Sequence, residues 1–393
     1  VSHSHPPSRA ELIRRASDLV PTLQRNSTSH EDERRLHDET IEALTAAGVF
    51  RMRVPARYGG YESDAGTLVE VAGALGRGDG AASWVTSVSW ITTWMAGLFP
   101  DKVQDEIFAS PDVRTCGTLS PSATAVTATD GFVVTGRWGF ISGAPHSHWQ
   151  VVIAMNPQQE GPPLPIMAIV PMTDLTIVDD WFTSGLRGTG SVTTVAEEVF
   201  IPRDRVLPLP AVLREQYGSQ RNAASSIFRA PLIPTAAVSS VGTAIGLAHA
   251  ARTAFLERLP DRKITYTDYP SQAEAPLTHR LLADAALRID AAEFHARRLA
   301  ELIDAKGEAD EVWTTRERVG ARADLGRSCQ LAKEAVDILA SASGGSSVYS
   351  SVPIQHIQRD IQAISLHALI NPDTNLELYG RVLCDLEPNT LYI

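Results

Sequence analysis

A change of hydrophobic period partway along the chain limits its fold more than any other feature. Apolar residues recur at helical spacing from residue 9 to about 110, as in RAELIRRASDLVPTLQRN behind Ser8. From 113 to about 207 they fall instead into short runs rich in Val, Ile and Thr, punctuated by Gly and Pro. Asp130-Gly131 stands between two such runs and predicts a hairpin. From 208 onward long Ala-, Leu-, Arg- and Glu-rich segments return, near 226–259, 276–304, 311–341 and 354–370. The expectation is an α+β chain: an N-terminal α-helical domain (1–112), a middle β-barrel or sandwich domain of about seven strands (113–207) and a C-terminal four-helix bundle (208–393). Glu31 to Ala47, acidic at its start and followed by Gly48, reads as one helix, and the tail DLEPNTLYI reads as irregular.

Composition excludes broad classes. The 393 residues carry a formal charge of −11, which argues against a generally basic nucleic-acid surface. Three widely spaced cysteines (Cys116, Cys329, Cys384) form no CxxC pair, so neither a disulfide framework nor a thiolate metal site is expected, and a reducing cytoplasm is the simplest compartment. The N-terminal stretch lacks the apolar core of a signal peptide. The most apolar segment, Ile233 to Ala251, contains Thr235, Ser239, Ser240, Thr243 and His249, and reads as a buried core helix rather than a membrane span.

Common nucleotide and hydrolase motifs are absent. Gly185–Ser191, GLRGTGS, superficially resembles a dinucleotide fingerprint, but the VTTVAEEVFIP behind it reads as a strand, so the helix that such a motif must open is missing. Other segments carry a specific likeness. GRWGFISGAPHSHW at 136–149, WFTSGLRGTGS followed by EVFIPRDRV, AASWVTSVSWITTWMAGLFP at 81–100, and SASGGSSVYSSVPIQHIQRD at 341–360 with SLHALINP behind it stand in the order helix, barrel, bundle. Together they resemble the acyl-CoA dehydrogenase superfamily, and within it the reduced-flavin-dependent, two-component monooxygenases.

That resemblance implies a chemistry. Reduced FAD, or FMN, would react with O2 to a C4a-hydroperoxide that hydroxylates a small aromatic molecule, and a separate NAD(P)H:flavin reductase would supply the reduced flavin. Ser142 matches the serine near flavin N5, and His367 matches the histidine beside the reacting atoms, where an imidazole can exchange a proton. Trp138, Phe140 and Trp149 would flank the flavin or shape its pocket, and Gly143, next to Ser142, would also belong to the cofactor-binding set. Arg187, Thr189 and Ser191 would offer a cation and donors to it. Arg262, Gly344 and Gly345 would approach its ribityl or phosphate portion, in part from a neighbouring subunit. Taken alone, the same residues have plainer roles: barrel packing for the aromatics, a turn for Ser142, a helix cap for the glycines and core packing for His367.

Trp84, Thr92 and Ser120 are the expected substrate-side residues. Thr92 stands where phenol hydroxylases of this group carry a second histidine, which turns the expectation toward indoles or polyketide rings as well as phenols. An amino-sugar N-oxygenase using the same flavin chemistry is the alternative. An acyl-CoA dehydrogenase ranks lower, because Ile361 to Ile370 holds no carboxylate to act as base and only Glu257 could replace it. The resemblance further implies a homotetramer. No metal, nucleic acid or membrane is expected to take part.

Overall fold

Residues 6–393 are described by the computed structural model. The N-terminal block contains α1 (Arg9–Asp18), α2 (Val20–Glu33), α3 (Asp38–Ala46), α4 (Ala65–Gly76), α5 (Gly80–Ala96) and α6 (Asp101–Ile107). Two boundaries differ from the expectation. The chain turns at Leu19, since Pro21 in the first turn of α2 has no N–H to continue α1. The single helix expected over 31–47 is broken at Arg34, which adopts a left-handed conformation (φ 57°) and caps α2 before α3 begins.

Strands β1 (Thr115–Gly117), β2 (Ala123–Ala128), β3 (Gly131–Ile141), β4 (Trp149–Asn156), β5 (Leu164–Pro171), β6 (Thr176–Val178), β7 (Val192–Pro202) and β8 (Val206–Pro208) form one sheet. The order is β6-β7-β3-β2-β4-β5-β8, with β1 beside β4. Its ladder is open between β6 and β8, so hydrogen bonding does not close the expected barrel. The Asp130-Gly131 hairpin is present, joining β2 and β3 in antiparallel register. Alternate residues of β3, β4, β5 and β7 pack into one apolar cluster that includes Trp138, Ile141, Val152 and Ile166.

The short α7 (Leu209–Val212) leads to the bundle of α8 (Leu232–Arg258), α9 (Pro276–Ala309), α10 (Thr315–Ala342) and α11 (Pro353–Ser365). The last is shorter than expected: it ends at Ser365, and the turn that holds His367 separates it from Pro372, which opens the next helix. A further helix, α12 (Pro372–Leu383), follows, capped by Asn371 onto the amides of Asp373 and Thr374. Residues beyond it are irregular, as expected.

α8 is long and apolar enough to cross a membrane, but 94% of its most apolar window is buried inside the protein. It is apolar on all sides because other helices cover it. Gly242 lies so close to α4 that an added Cβ would sit 2.5 Å from the Val69 carbonyl, and Gly246 faces Gly73 and Gly76 in the same way. Glycine is what permits the two backbones to meet, and this contact ties the N-terminal block to the bundle.

Candidate active site

The three blocks meet around the N-terminal end of α5. Asp79 caps that helix by accepting the Ala81 N–H, and its other oxygen lies 2.6 Å from His30 Nδ1. One turn on, Trp84 is buried and donates its indole N–H to Ser142 Oγ at 3.1 Å. Ser142 leaves β3 just past an irregularity in the β3–β7 register, where Phe140 is held at φ 63°. Gly143 follows at φ 75° with its N–H on the Thr189 carbonyl, and an added Cβ there would meet Val85 at 2.8 Å. Ser142 Oγ is 2.7 Å from Ser191 Oγ, which is 2.6 Å from Thr189 Oγ1.

His367 reaches the same place from the turn between α11 and α12. Its ring meets Trp84 edge to face, with centroids 5.3 Å apart. The residue is exposed, yet the protein crowding its imidazole depresses the pKa to about 4. The Trp84 indole packed edge-on against the ring takes water from that side of the imidazole while the rest of the residue stays exposed. Nδ1 accepts the Leu369 N–H at 3.3 Å, so the neutral tautomer inferred from this bond carries its proton on Nε2. The site thus brings together Trp84, Ser142, Gly143, Thr189, Ser191 and His367, with Phe140 on its rim.

Phe140 is 76% exposed and touches Trp181 edge-on at 5.8 Å. A large aromatic held on the surface in a strained backbone conformation, beside a buried hydroxyl chain, suits a planar group with an apolar face and a hydrogen-bonding edge. A second cluster suits an anion. Arg262 Nη1 donates to Ser346 Oγ at 2.9 Å, and Arg258 reaches the same oxygen at 3.4 Å. Gly344 (φ 66°) lies against Arg262, with Gly345 beside it. Burial and the neighbouring Arg258 lower the Arg262 pKa, and Arg258 Nη1 and Arg262 Nε have no protein partner. Two crowded cations with unused donors fit a phosphate. This cradle shares no hydrogen bond with Ser142 within the chain.

Several expected residues stand elsewhere. Trp138 is fully buried in the sheet core and donates to the Ile153 carbonyl at 2.9 Å, so its role is packing. The Arg187 guanidinium turns toward α2, donating to the carbonyls of Glu31 and Thr183. Thr92 is buried, its Oγ1 is engaged by Val88, Ser89 and Thr115 at 2.6 to 3.2 Å, and its methyl faces Gly117. Ser120 is exposed on the β1–β2 loop, which Tyr392 ties down through the Leu119 carbonyl. Glu257, the alternative dehydrogenase base, is an exposed residue near the end of α8.

A buried charge network escaped the sequence reading. Asp360 accepts the Leu186 N–H at 2.7 Å and lies 3.3 Å from His356 Nε2. Burial disfavours charge on His356, but Asp360 outweighs it with help from Asp79 and Glu31, and the pKa is held up at about 9. Arg359 pairs with Glu31 and with the Ser184 carbonyl. The i, i+4 placement of His356 and Asp360 on one helix was the available signal. Two clefts, of about 650 Å³ beside His146 and about 560 Å³ between α4 and α9, do not border Ser142. Neither collects a comparable set of convergent hydroxyl, indole and imidazole groups. Among the described residues no group of His, Cys, Asp or Glu could hold a metal ion.

Comparison with known proteins agrees with this architecture. Residues 14–108 match the family model for the acyl-CoA dehydrogenase N-terminal domain, and 238–372 match that for the C-terminal domain. The chain is 28% identical to the oxygenase component of an FADH2-dependent resorcinol hydroxylase from a Rhizobium strain, over 100% of this chain and 99% of that one. It is 29% identical to the flavin-dependent monooxygenase oxygenase subunit HsaA of Rhodococcus jostii, over 94% and 97%. XiaF from Streptomyces sp., solved with FADH2 and glycerol, superposes with a TM-score of 0.91 and 31% identity, covering 97% of each chain. The chain is a flavin-dependent oxidoreductase of acyl-CoA dehydrogenase fold, and it belongs to the two-component monooxygenases, as an oxygenase component that uses reduced flavin and O2.

Proposed function

We propose that this oxygenase hydroxylates a small aromatic molecule in the space bounded by Trp84, Ser142 and His367, with FAD as its flavin. The convergence of the Ser142 hydroxyl and the His367 imidazole on the single indole of Trp84 carries the reading. Bound reduced flavin supplies the oxygen activation; the protein binds, orients and excludes water. Phe140 would cover an apolar face of the flavin, Ser142 would meet its polar edge, and Arg258 and Arg262 would hold its phosphate portion. His367, neutral and protonated at Nε2, donates from that atom to a ring oxygen or nitrogen of the substrate and so orients it.

The lining favours a neutral aromatic over a nucleotide sugar. Ser142, Thr189 and Ser191 are uncharged, His367 is neutral, and Arg187 is occupied by α2. A single imidazole with Thr92 at the expected second position suits an indole or polyketide ring as well as a phenol. The dehydrogenase alternative lacks a base, since Glu257 is exposed near the end of α8 and no carboxylate occupies 361–370.

The working form is proposed to be a cytoplasmic homotetramer fed by a separate NAD(P)H:flavin reductase. Exposed Leu277, Leu287 and Phe294 on α9, with Leu376 and Leu383 on α12, offer apolar surface for such packing. In that assembly the Arg262–Gly344 cradle would serve the flavin of a neighbouring subunit. Light scattering on the purified protein tests the assembly, and a monomer at micromolar concentration would exclude it. Turnover of phenols, indoles and amines with reduced FAD, product mass being measured, tests the reaction.

A further inference from the structure

The hydroxyl chain at the site has a fixed direction. It begins at Trp84 Nε1, an N–H that can only donate, and it ends at the Leu186 carbonyl, which can only accept. Thr189 Oγ1 lies 2.7 Å from that carbonyl and spends its one proton there. It must therefore accept from Ser191 at the 2.6 Å contact. The Ser191 proton is then used, so the 2.7 Å contact between Ser191 and Ser142 is a bond donated by Ser142. The sequence of bonds is Trp84 to Ser142 to Ser191 to Thr189 to Leu186. With its proton committed and one lone pair taken by Trp84, Ser142 Oγ has a single valence left, and that is an acceptor.

The far end of the chain is held rigidly. The Leu186 carbonyl also accepts from Thr189 N at 3.1 Å and Trp181 Nε1 at 3.0 Å. Its own N–H is gripped by Asp360 at 2.7 Å. Gly185 lies so close to α11 that an added Cβ would sit 2.1 Å from the Arg359 carbonyl. These contacts hold the Leu186 carbonyl as the acceptor end of the chain.

We infer that Ser191 and Thr189, anchored through the Leu186 peptide on Asp360, are positioning residues that make Ser142 a hydrogen-bond acceptor toward the flavin, and so a device that favours the reduced over the oxidised form. This rests on the flavin reading of the site. Reduced flavin carries a proton on N5 and can donate to such an oxygen, whereas oxidised flavin presents a lone pair there and would face another lone pair. An acceptor at that edge also resists removal of the N5 proton.

The test is equilibrium binding of FAD, oxidised and, under anaerobic conditions, dithionite-reduced, to wild type, Ser191→Ala, Thr189→Val and Thr189→Ser. Wild type is expected to bind the reduced form more tightly. In Ser191→Ala and Thr189→Val the Ser142 proton is released to rotate toward oxidised N5, and the preference should narrow by about five-fold or more, the size of one hydrogen bond. Thr189→Ser keeps the hydroxyl and should keep the preference, a rescue that a loss of packing would not give. An unchanged preference in both Ser191→Ala and Thr189→Val overturns the inference while leaving the flavin site intact. Failure of wild type to bind either form overturns the flavin reading and the inference with it. Should Thr189→Val melt before measurement, Ser191→Ala, which removes one oxygen from a strand end, carries the comparison alone.

Discussion

Trp84 and His367 meet edge to face with ring centroids 5.3 Å apart, although one lies on α5 and the other in the turn before α12. The same indole donates to Ser142, so one side chain fixes the spacing between the hydroxyl chain and the imidazole. Trp84→Phe keeps an aromatic ring but removes the donor. The expected loss in stability is about 1 to 2 kcal/mol, read by denaturant unfolding. A larger share of the consumed reductant should appear as hydrogen peroxide rather than product.

His367→Ala should abolish most hydroxylation while leaving flavin affinity within a few-fold of wild type. The ring is neutral because its pKa is depressed to about 4, so it adds no inflection to the rate profile between about pH 6 and pH 8. A His367-dependent inflection in that range would show that the ring titrates there.

His356 supplies a stability test with a definite sign. Its folded pKa of about 9 lies above the unfolded value of about 6.5, so the charged His356–Asp360 pair contributes fully below about pH 6.5 and is lost as pH rises through about 9. Thermal stability should fall across that window, by up to about 3 kcal/mol. Glu31, Arg359, Asp79, His30 and Arg187 face or border the pair from α2, α5, α11 and the 183–191 loop, so the control is His356→Gln, which should flatten the slope. An equal slope in the variant would assign it to those neighbours.

Gly185→Ala should destabilise by about 3 kcal/mol or more, because the new Cβ meets backbone rather than a flexible side chain. The displaced loop should also weaken flavin binding in the folded fraction. A variant with wild-type melting temperature would show that the loop can move.

The switch from helical to strand spacing and back was plain in the sequence, because each block must bury its own apolar face. So were Ser142, Thr189, Ser191 and His367, which lie in motif segments. Trp138 and Phe140 give the same aromatic signal in one strand, and only the burial of the first and the exposure of the second, two residues apart, separate core from rim. The break at Arg34 depends on a left-handed residue that no glycine announces. The engagement of Arg187 is equally hidden, because its partner Glu31 is far off in sequence. The Asp360 anchor was hidden for a similar reason, since its partner is the backbone of Leu186 on another element.

Incubation with reduced FAD under 18O2, across phenols, indoles and polyketide-like aromatics, addresses the function most directly. The expected result is an aromatic product carrying one 18O atom, formed when a flavin reductase or chemical reductant is supplied and not with NAD(P)H alone. Hydrogen peroxide as the sole product with every aromatic would contradict it.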